Sequence, residues 1–194
     1  MSTAERRERE RAQRHQLIIT AARELAEREG WDAVTTRRLA DQVEYSQPVL
    51  YSHFKGKDAI VRAVALEGFA SMAAELRAVR RPDAPAREAI RSLAEAYLRF
   101  AAARPALYDA MFTMPVDLVF ADPTSTPPAL QEAFGEVVAS VRPAATDGHP
   151  LDIFAEVVWS TLHGLATLTR GGRLPESGRQ ARLDLLVDRL AGQP

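Results

Sequence analysis

The chain has no cysteine among its 194 residues. Disulfides, cysteine-ligated zinc, iron–sulfur clusters and thiol catalysis are therefore excluded. Strictly alternating runs of β-branched residues are also missing, which argues against strands. No apolar run is long enough to span a membrane: the most apolar stretch, residues 59–76, is interrupted by Arg62, Glu67 and Glu75. Residues 1–14 are charged and polar, do not read as a secretory signal, and point by default to a cytoplasmic location. Neither sign of charge is in excess, since 25 Lys+Arg face 26 Asp+Glu for a formal net charge of −1. So small a sum speaks against a nucleic-acid partner, but a sum hides distribution. Aromatics are scarce at 7%, while hydrophobic residues reach 46%. That composition is globular, and the length allows one domain or a small domain joined to a larger one.

What is present is helical nearly throughout. Ala, Leu, Arg and Glu dominate, and apolar residues recur at three- and four-residue spacing. A first helix is expected to end near Glu29, with Leu17, Ile18, Ala21, Ala22 and Leu25 as its buried stripe and Gly30 as a left-handed stop. A short helix capped by Thr35 or Thr36 runs to about Val43. A second short helix runs from Gln47 to about His53, with Ser46 at its N-cap and Pro48 in its first turn. A long helix follows from near Lys57 to near Arg80. Further helices are expected over 85–103, from Pro105 through Phe112, and over 129–141, 151–170 and 178–191. Residues 115–128, rich in proline, read as a loop, and residues 143–150 as a polar turn.

Two short helices joined by a tight turn and preceded by a longer helix form a helix-turn-helix pattern. Leu39, Ala40, Val43, Tyr45, Leu50 and Phe54 can close its small core. Arg37 and Arg38 occupy the first turn of a helix, the wrong end for cations unless an outside anion such as DNA phosphate reverses the sign. Residues 1–14 carry a net +2, residues 1–60 carry +1, and the remainder carries −2. The basic groups are therefore local clusters in an otherwise balanced chain.

The residues that form this pattern also resemble a known family. Residues 17–22 through Leu25 and Gly30, then Thr35, Leu39, Ala40, Ser46, Leu50, Tyr51, His53, Phe54, Lys57 and Ile60, look like the TetR family of bacterial transcriptional regulators. The stretch from Gln47 to Lys57 is the most telling. Residues 159–164, with Trp159, His163 and Gly164, look like the Trp…His-Gly signature of one subgroup. The resemblance implies an all-α dimer with an N-terminal helix-turn-helix domain and a C-terminal ligand and dimerisation domain, about nine helices in all. Here the boundary falls at 1–60 and 61–194. The resemblance further implies a regulator, most often a repressor, that leaves a palindromic operator when a small molecule binds. Two departures matter. Tyr45 stands where the family usually has a smaller valine and can expose its hydroxyl near the DNA. Glu44 stands where the family usually has a glycine, and a left-handed backbone there costs roughly 1–2 kcal/mol for any other residue.

The start of the second short helix is where such folds meet base edges. The matching residues are Gln47, Pro48, Val49, Tyr51, Ser52 and His53. Gln47 can bond an adenine edge in bidentate fashion, and Val49 can touch a thymine methyl. Thr36, Arg37, Arg38, Tyr51, His53 and Lys57 suit phosphate, and Thr35, Ser46 and Lys55 complete the DNA-facing set. Leu50 and Phe54 read as core.

Residues 97–163 concentrate the larger side chains. Tyr97, Phe100, Met111, Phe112, Met114, Phe120, Phe134, Trp159 and His163 could line an apolar pocket for a neutral small-molecule effector. For any single one of them plain core is the stronger reading. The last two helices are apolar enough to need a partner. Leu162, Leu165, Leu183, Leu186, Val187 and Leu190 are the expected dimer contacts, consistent with a two-fold operator. The histidines at 15, 53, 149 and 163 form no ligand-spaced pair, so no metal and no cofactor are expected. No nucleophile–base pair, paired carboxylates or phosphate loop appears, so an enzyme is not expected. The competing reading is a helical small-molecule-binding protein or enzyme without DNA-binding function.

Overall fold

The computed structural model describes residues 2–122, 124–145 and 150–191. Pro123 of the expected loop and His149, within the expected turn, lie outside them. The first helix begins earlier than its apolar stripe suggests. Ser2 accepts a hydrogen bond from the Glu5 backbone N–H at 3.2 Å, and its own N–H donates to the Glu5 carboxylate at 2.8 Å. This reciprocal cap satisfies two donors that a helix start leaves open. Helix α1 then runs Thr3–Glu29, so the basic arm is helical from Thr3 onward. Its buried face is Ile18, Ile19, Ala21, Ala22, Leu25 and Ala26. Leu17, expected in that stripe, is 45% exposed. One residue turns a helix by about 100°, and that step carries Leu17 past the edge of the buried arc. Gly30 has φ 82° but ψ 164°, so it is not the left-handed stop expected. It sits in an extended region with positive φ that essentially only glycine tolerates.

The remaining helices are α2 Thr36–Gln42, α3 Gln47–His53, α4 Lys57–Val79, α5 Ala86–Ala103, α6 Pro105–Phe112, α7 Pro128–Val141, α8 Leu151–Arg170 and α9 Arg179–Leu190. Three one-turn 3₁₀ segments at Trp31–Ala33, Arg142–Ala144 and Glu176–Gly178 add to the expected layout. Prolines in the first turns of α3, α6 and α7 sit where their missing N–H is not needed. Among the described residues no strand occurs, and no helix is long and apolar enough to cross a membrane.

The chain divides into two compact units by its contacts. The first is Met1–Gly68 with Arg104–Ser125, and the second is Phe69–Ala103 with Thr126–Pro194. This packing division differs from the one expected at residue 60, because α6 joins the N-terminal helices. In the first unit α1 packs on α2 and α6, and α2 packs on α3. The Glu27 carboxylate accepts from the Ala106 and Leu107 N–H groups at 3.1 and 2.9 Å, filling the open N-terminus of α6. Trp31 Nε1 donates to the Ala106 carbonyl at 2.8 Å in a buried bond. Gly68 is needed by close approach: a Cβ there would lie 2.6 Å from Met111 Sδ.

In the second unit α5 is central, and α7, α8 and α9 pack on it. Ile90, Leu93, Tyr97 and Phe100 fill the buried face of α5. Charged residues then tie the helices. Arg77 of α4 and Arg80, just past its end, bond the two carboxylate oxygens of Glu136 on α7 at 2.7 and 2.9 Å, and Glu136 is only 7% exposed. Arg91 of α5 bonds Asp184 of α9 at 2.7 Å, and Arg87 pairs with Asp188. The Arg91 hydrogen bond holds the Asp184 carboxyl below the usual carboxylate range.

Candidate nucleic-acid interface

Helices α2 and α3 form the expected helix-turn-helix, and the apolar spacing explains which faces they bury. Leu39 and Leu50 are fully buried, and Ala40, Val43 and Phe54 are buried around them. Small Ala40 lets α3 cross closely. Between the helices Glu44 takes φ 57°, so the left-handed conformation is present without glycine. The turn is a closed C-cap. Tyr45 N–H donates to the Ala40 carbonyl at 2.9 Å and Glu44 N–H to the Asp41 carbonyl at 3.3 Å. These two bonds satisfy orphan carbonyls of α2 and offset the strain at Glu44.

The start of α3 is left to solvent. Ser46, Gln47, Pro48 and Ser52 are exposed, Tyr51 is 50% exposed, and Val49 is half-buried. Ser46 holds the N-cap position but makes no side-chain capping bond. Ser52 Oγ donates back to the Val49 carbonyl at 2.6 Å. Gln47 and Pro48 are thus open to solvent at the start of α3.

The phosphate candidates separate into two groups. Thr35 caps α2, accepting from the Arg38 N–H at 3.2 Å, and Thr36 Oγ1 lies 3.4 Å from Tyr51 Oη. Arg37 and Lys55 are exposed. Arg38, by contrast, is already engaged: its guanidinium forks onto the two Glu29 oxygens at 2.8 and 3.0 Å. The pair sets a cation at the start of α2 against an anion at the end of α1, so each offsets a charge at the unfavourable end of a helix. This hydrogen bond lowers the Glu29 pKa and raises that of Arg38. Lys57 Nζ donates to the Trp31 carbonyl at 2.5 Å and is half-buried. Both cations are therefore partly committed to the protein itself, which residue type alone does not reveal.

His53, at the end of α3, has its pKa lowered, first by burial and then by the charges of His15, Arg11 and Arg14. His15 stacks on Phe54 with ring centres 4.3 Å apart. The basic part of α1 is thereby set beside the end of α3, a link the sequence did not indicate because 38 positions separate His15 from His53.

The nine aromatic and sulfur side chains are split between the units. Met111 is buried, Phe112 and Met114 are half-buried, and Phe120 is 46% exposed, all in the first unit. Tyr97, Phe100, Phe134, Trp159 and His163 belong to the second. There Trp159 Nε1 donates to Tyr97 Oη at 3.2 Å, Phe134 meets Trp159 edge-on at 6.2 Å, and His163 lies 6.3 Å from Trp159. Burial and the nearby Arg170 charge lower the His163 pKa. Of the expected dimer contacts, Leu162, Leu183, Leu186 and Val187 are buried within the single chain, because α8 and α9 turn these faces toward their own neighbours. Leu165 and Leu190 are half-buried.

Residues 18–64 match the family described as bacterial regulatory proteins, tetR family, and residues 90–190 match the tetracyclin repressor-like C-terminal domain. The chain belongs to the TetR family. It is 31% identical over 177 residues to an uncharacterised helix-turn-helix-type transcriptional regulator of Mycobacterium tuberculosis, covering 90% of this chain and 78% of that protein. A protein of unknown function from Rhodococcus sp. RHA1 is 27% identical with a TM-score of 0.71, covering 92% of this chain and 95% of that one. A TetR protein from Acinetobacter baumannii AYE in complex with minocycline shares the fold at a TM-score of 0.63 and 21% identity, covering 90% of this chain and 92% of that one. This TetR-family chain is a DNA-binding transcriptional regulator, with α2 and α3 as its helix-turn-helix.

Proposed function

We propose that the protein is a homodimeric repressor that reads a palindromic operator with α3 and releases it when a small apolar molecule binds. The exposed start of α3, standing on the buried Leu39–Leu50–Phe54 core, carries the reading. Residues 1–60 supply the DNA contacts. Gln47 and Val49 read base edges, and Arg37, Lys55, Thr36 and Tyr51 meet phosphate. Arg38 and Lys57 join them by exchanging their protein partners for phosphate oxygens.

Residues 61–194 supply the dimer and the effector site. Ile153, Val157 and Leu168 of α8 are 47%, 52% and 40% exposed, and Leu185 of α9 is 57% exposed. Positions 153, 157, 161, 164 and 168 follow one face of α8. A Cβ on Gly164 would meet nothing within 4 Å, so this face is open to another helix. It replaces the buried leucine stripe as the surface offered to a second copy. Tyr97, Phe134, Trp159 and His163 are the residues for an apolar effector with a polar handle. The Acinetobacter protein, which shares this fold, was solved in complex with minocycline, and this supports a small-molecule effector. Helix α4, which belongs to both units, is the element through which a bound effector alters operator affinity, a coupling that typically amounts to about 1–3 kcal/mol.

A gel-shift titration on the DNA upstream of the protein's own gene tests this reading. Saturable, salt-sensitive binding that needs both halves of a palindrome is expected. Equal binding to a scrambled half-site contradicts it.

A further inference from the structure

We infer that the hollow bounded by α5, α8 and α9 is a binding site for a short-chain carboxylate. Its floor is apolar and made of small and branched side chains: Leu98, Ala101, Leu165, Ala166 and Leu183. Its rim carries Arg170 at the end of α8, Arg179 at the start of α9, and Arg182 one turn further on. Glu176 lines the same rim, so cationic side chains outnumber anionic ones among its lining residues. Among the described residues no ion-pair partner meets Arg179 or Arg182.

The rim is shaped as well as charged. Arg182 is oriented by donating from Nη2 to the Pro175 carbonyl at 2.8 Å. Gly178 makes room for that guanidinium, because a Cβ there would lie 2.6 Å from Nη1. No side chain caps the first turn of α9, which begins at this rim. The Arg170 Nε is itself buried.

Charge and floor together select the ligand. A guanidinium fork matches the two oxygens of a carboxylate. The apolar floor takes hydrocarbon and gives nothing to a fully hydrated inorganic anion. The cavity volume is about 40 Å³, roughly the space of three waters. That limits the tail to a few carbons, as in propionate or butyrate. None of the residues assigned above to the aromatic effector cluster or to the exposed α8 face lines this hollow, so the site stands apart from both.

Titration calorimetry on the full chain with sodium butyrate tests the assignment, with 1-butanol, sodium chloride and inorganic phosphate as comparison ligands at equal ionic strength. One saturable butyrate site per chain is expected, with no saturable binding of the other three. Arg182→Gln and Arg179→Gln should each weaken butyrate binding by about tenfold, the size of one lost charge-assisted contact. Arg179 is exposed, so its variant reads binding even if Arg182→Gln disturbs the α8–α9 corner. Butanol binding as tightly as butyrate, phosphate or chloride competing equally, absence of saturation, or unchanged affinity in Arg179→Gln would each overturn the proposal.

Discussion

In the helix-turn-helix, polar side chains are left to solvent. In the second unit they tie helices together. Gln47, Pro48 and Ser52 stand exposed on α3, whereas Glu136, Asp184 and Asp188 are engaged by arginines of α4 and α5. The first arrangement keeps hydrogen-bonding capacity for an outside partner. The second fixes the relative positions of α4, α5, α7 and α9 within their unit. Arg38 is the intermediate case, a head residue already holding a carboxylate.

Emptying the head's core should give the largest effect. Leu50→Ala removes a fully buried side chain and should cost about 3 kcal/mol in urea unfolding, with loss of operator binding. A cost below about 1 kcal/mol would show that this core is loose. The matching change in the second unit is Glu136→Ala. It leaves Arg77 and Arg80 partly exposed and able to find water, so about 2 kcal/mol is expected rather than the full cost of orphaning a buried charge. DNA affinity per folded molecule should not change, and a parallel drop in it would erase the contrast between the two regions.

Smaller effects sharpen the contrast. Glu44→Gly should stabilise the protein by about 1 kcal/mol, because φ 57° then carries no Cβ penalty. A destabilised Glu44→Gly would mean that Glu44 makes a compensating contact. The pH dependence should be the mildest signal. Both His53 and His163 have lowered pKa values, so the unfolded chain binds their protons first. Stability should hold above the ordinary histidine pKa of about 6.5 and fall as the pH drops from there toward the lowered values. His163→Gln should flatten part of that fall in melting curves taken across pH, and an unchanged slope counts against it.

The head was largely legible in the sequence because its information is local. Thr35, Pro48, Leu39, Leu50 and Phe54 fix two helices and a turn within about twenty residues, and the expected bounds of α2 and α3 lie within a residue of those found. The second unit was legible as helices but not as faces. The stripe Leu183, Leu186, Val187 marks a buried side of α9, yet periodicity cannot tell a face buried in the same chain from one buried against a copy. The exposed Ile153, Val157 and Leu185 became distinguishable only once α5 was seen to cover the other side. The Glu29–Arg38 and Glu136–Arg pairs were equally hidden, since partners on different helices leave no spacing to read. The Ser2–Glu5 cap was readable, as a Ser with Glu three residues on, but lies far ahead of the apolar stripe.

The central claim is that the exposed start of α3 reads base sequence. Its most direct test is Gln47→Ala in the full chain, titrated against the operator and against a scrambled duplex at one salt concentration. The account predicts a loss of about 1–3 kcal/mol on the operator, with scrambled-DNA binding unchanged, so that the specificity ratio falls about tenfold or more. Equal losses on both duplexes, or none on either, would contradict it.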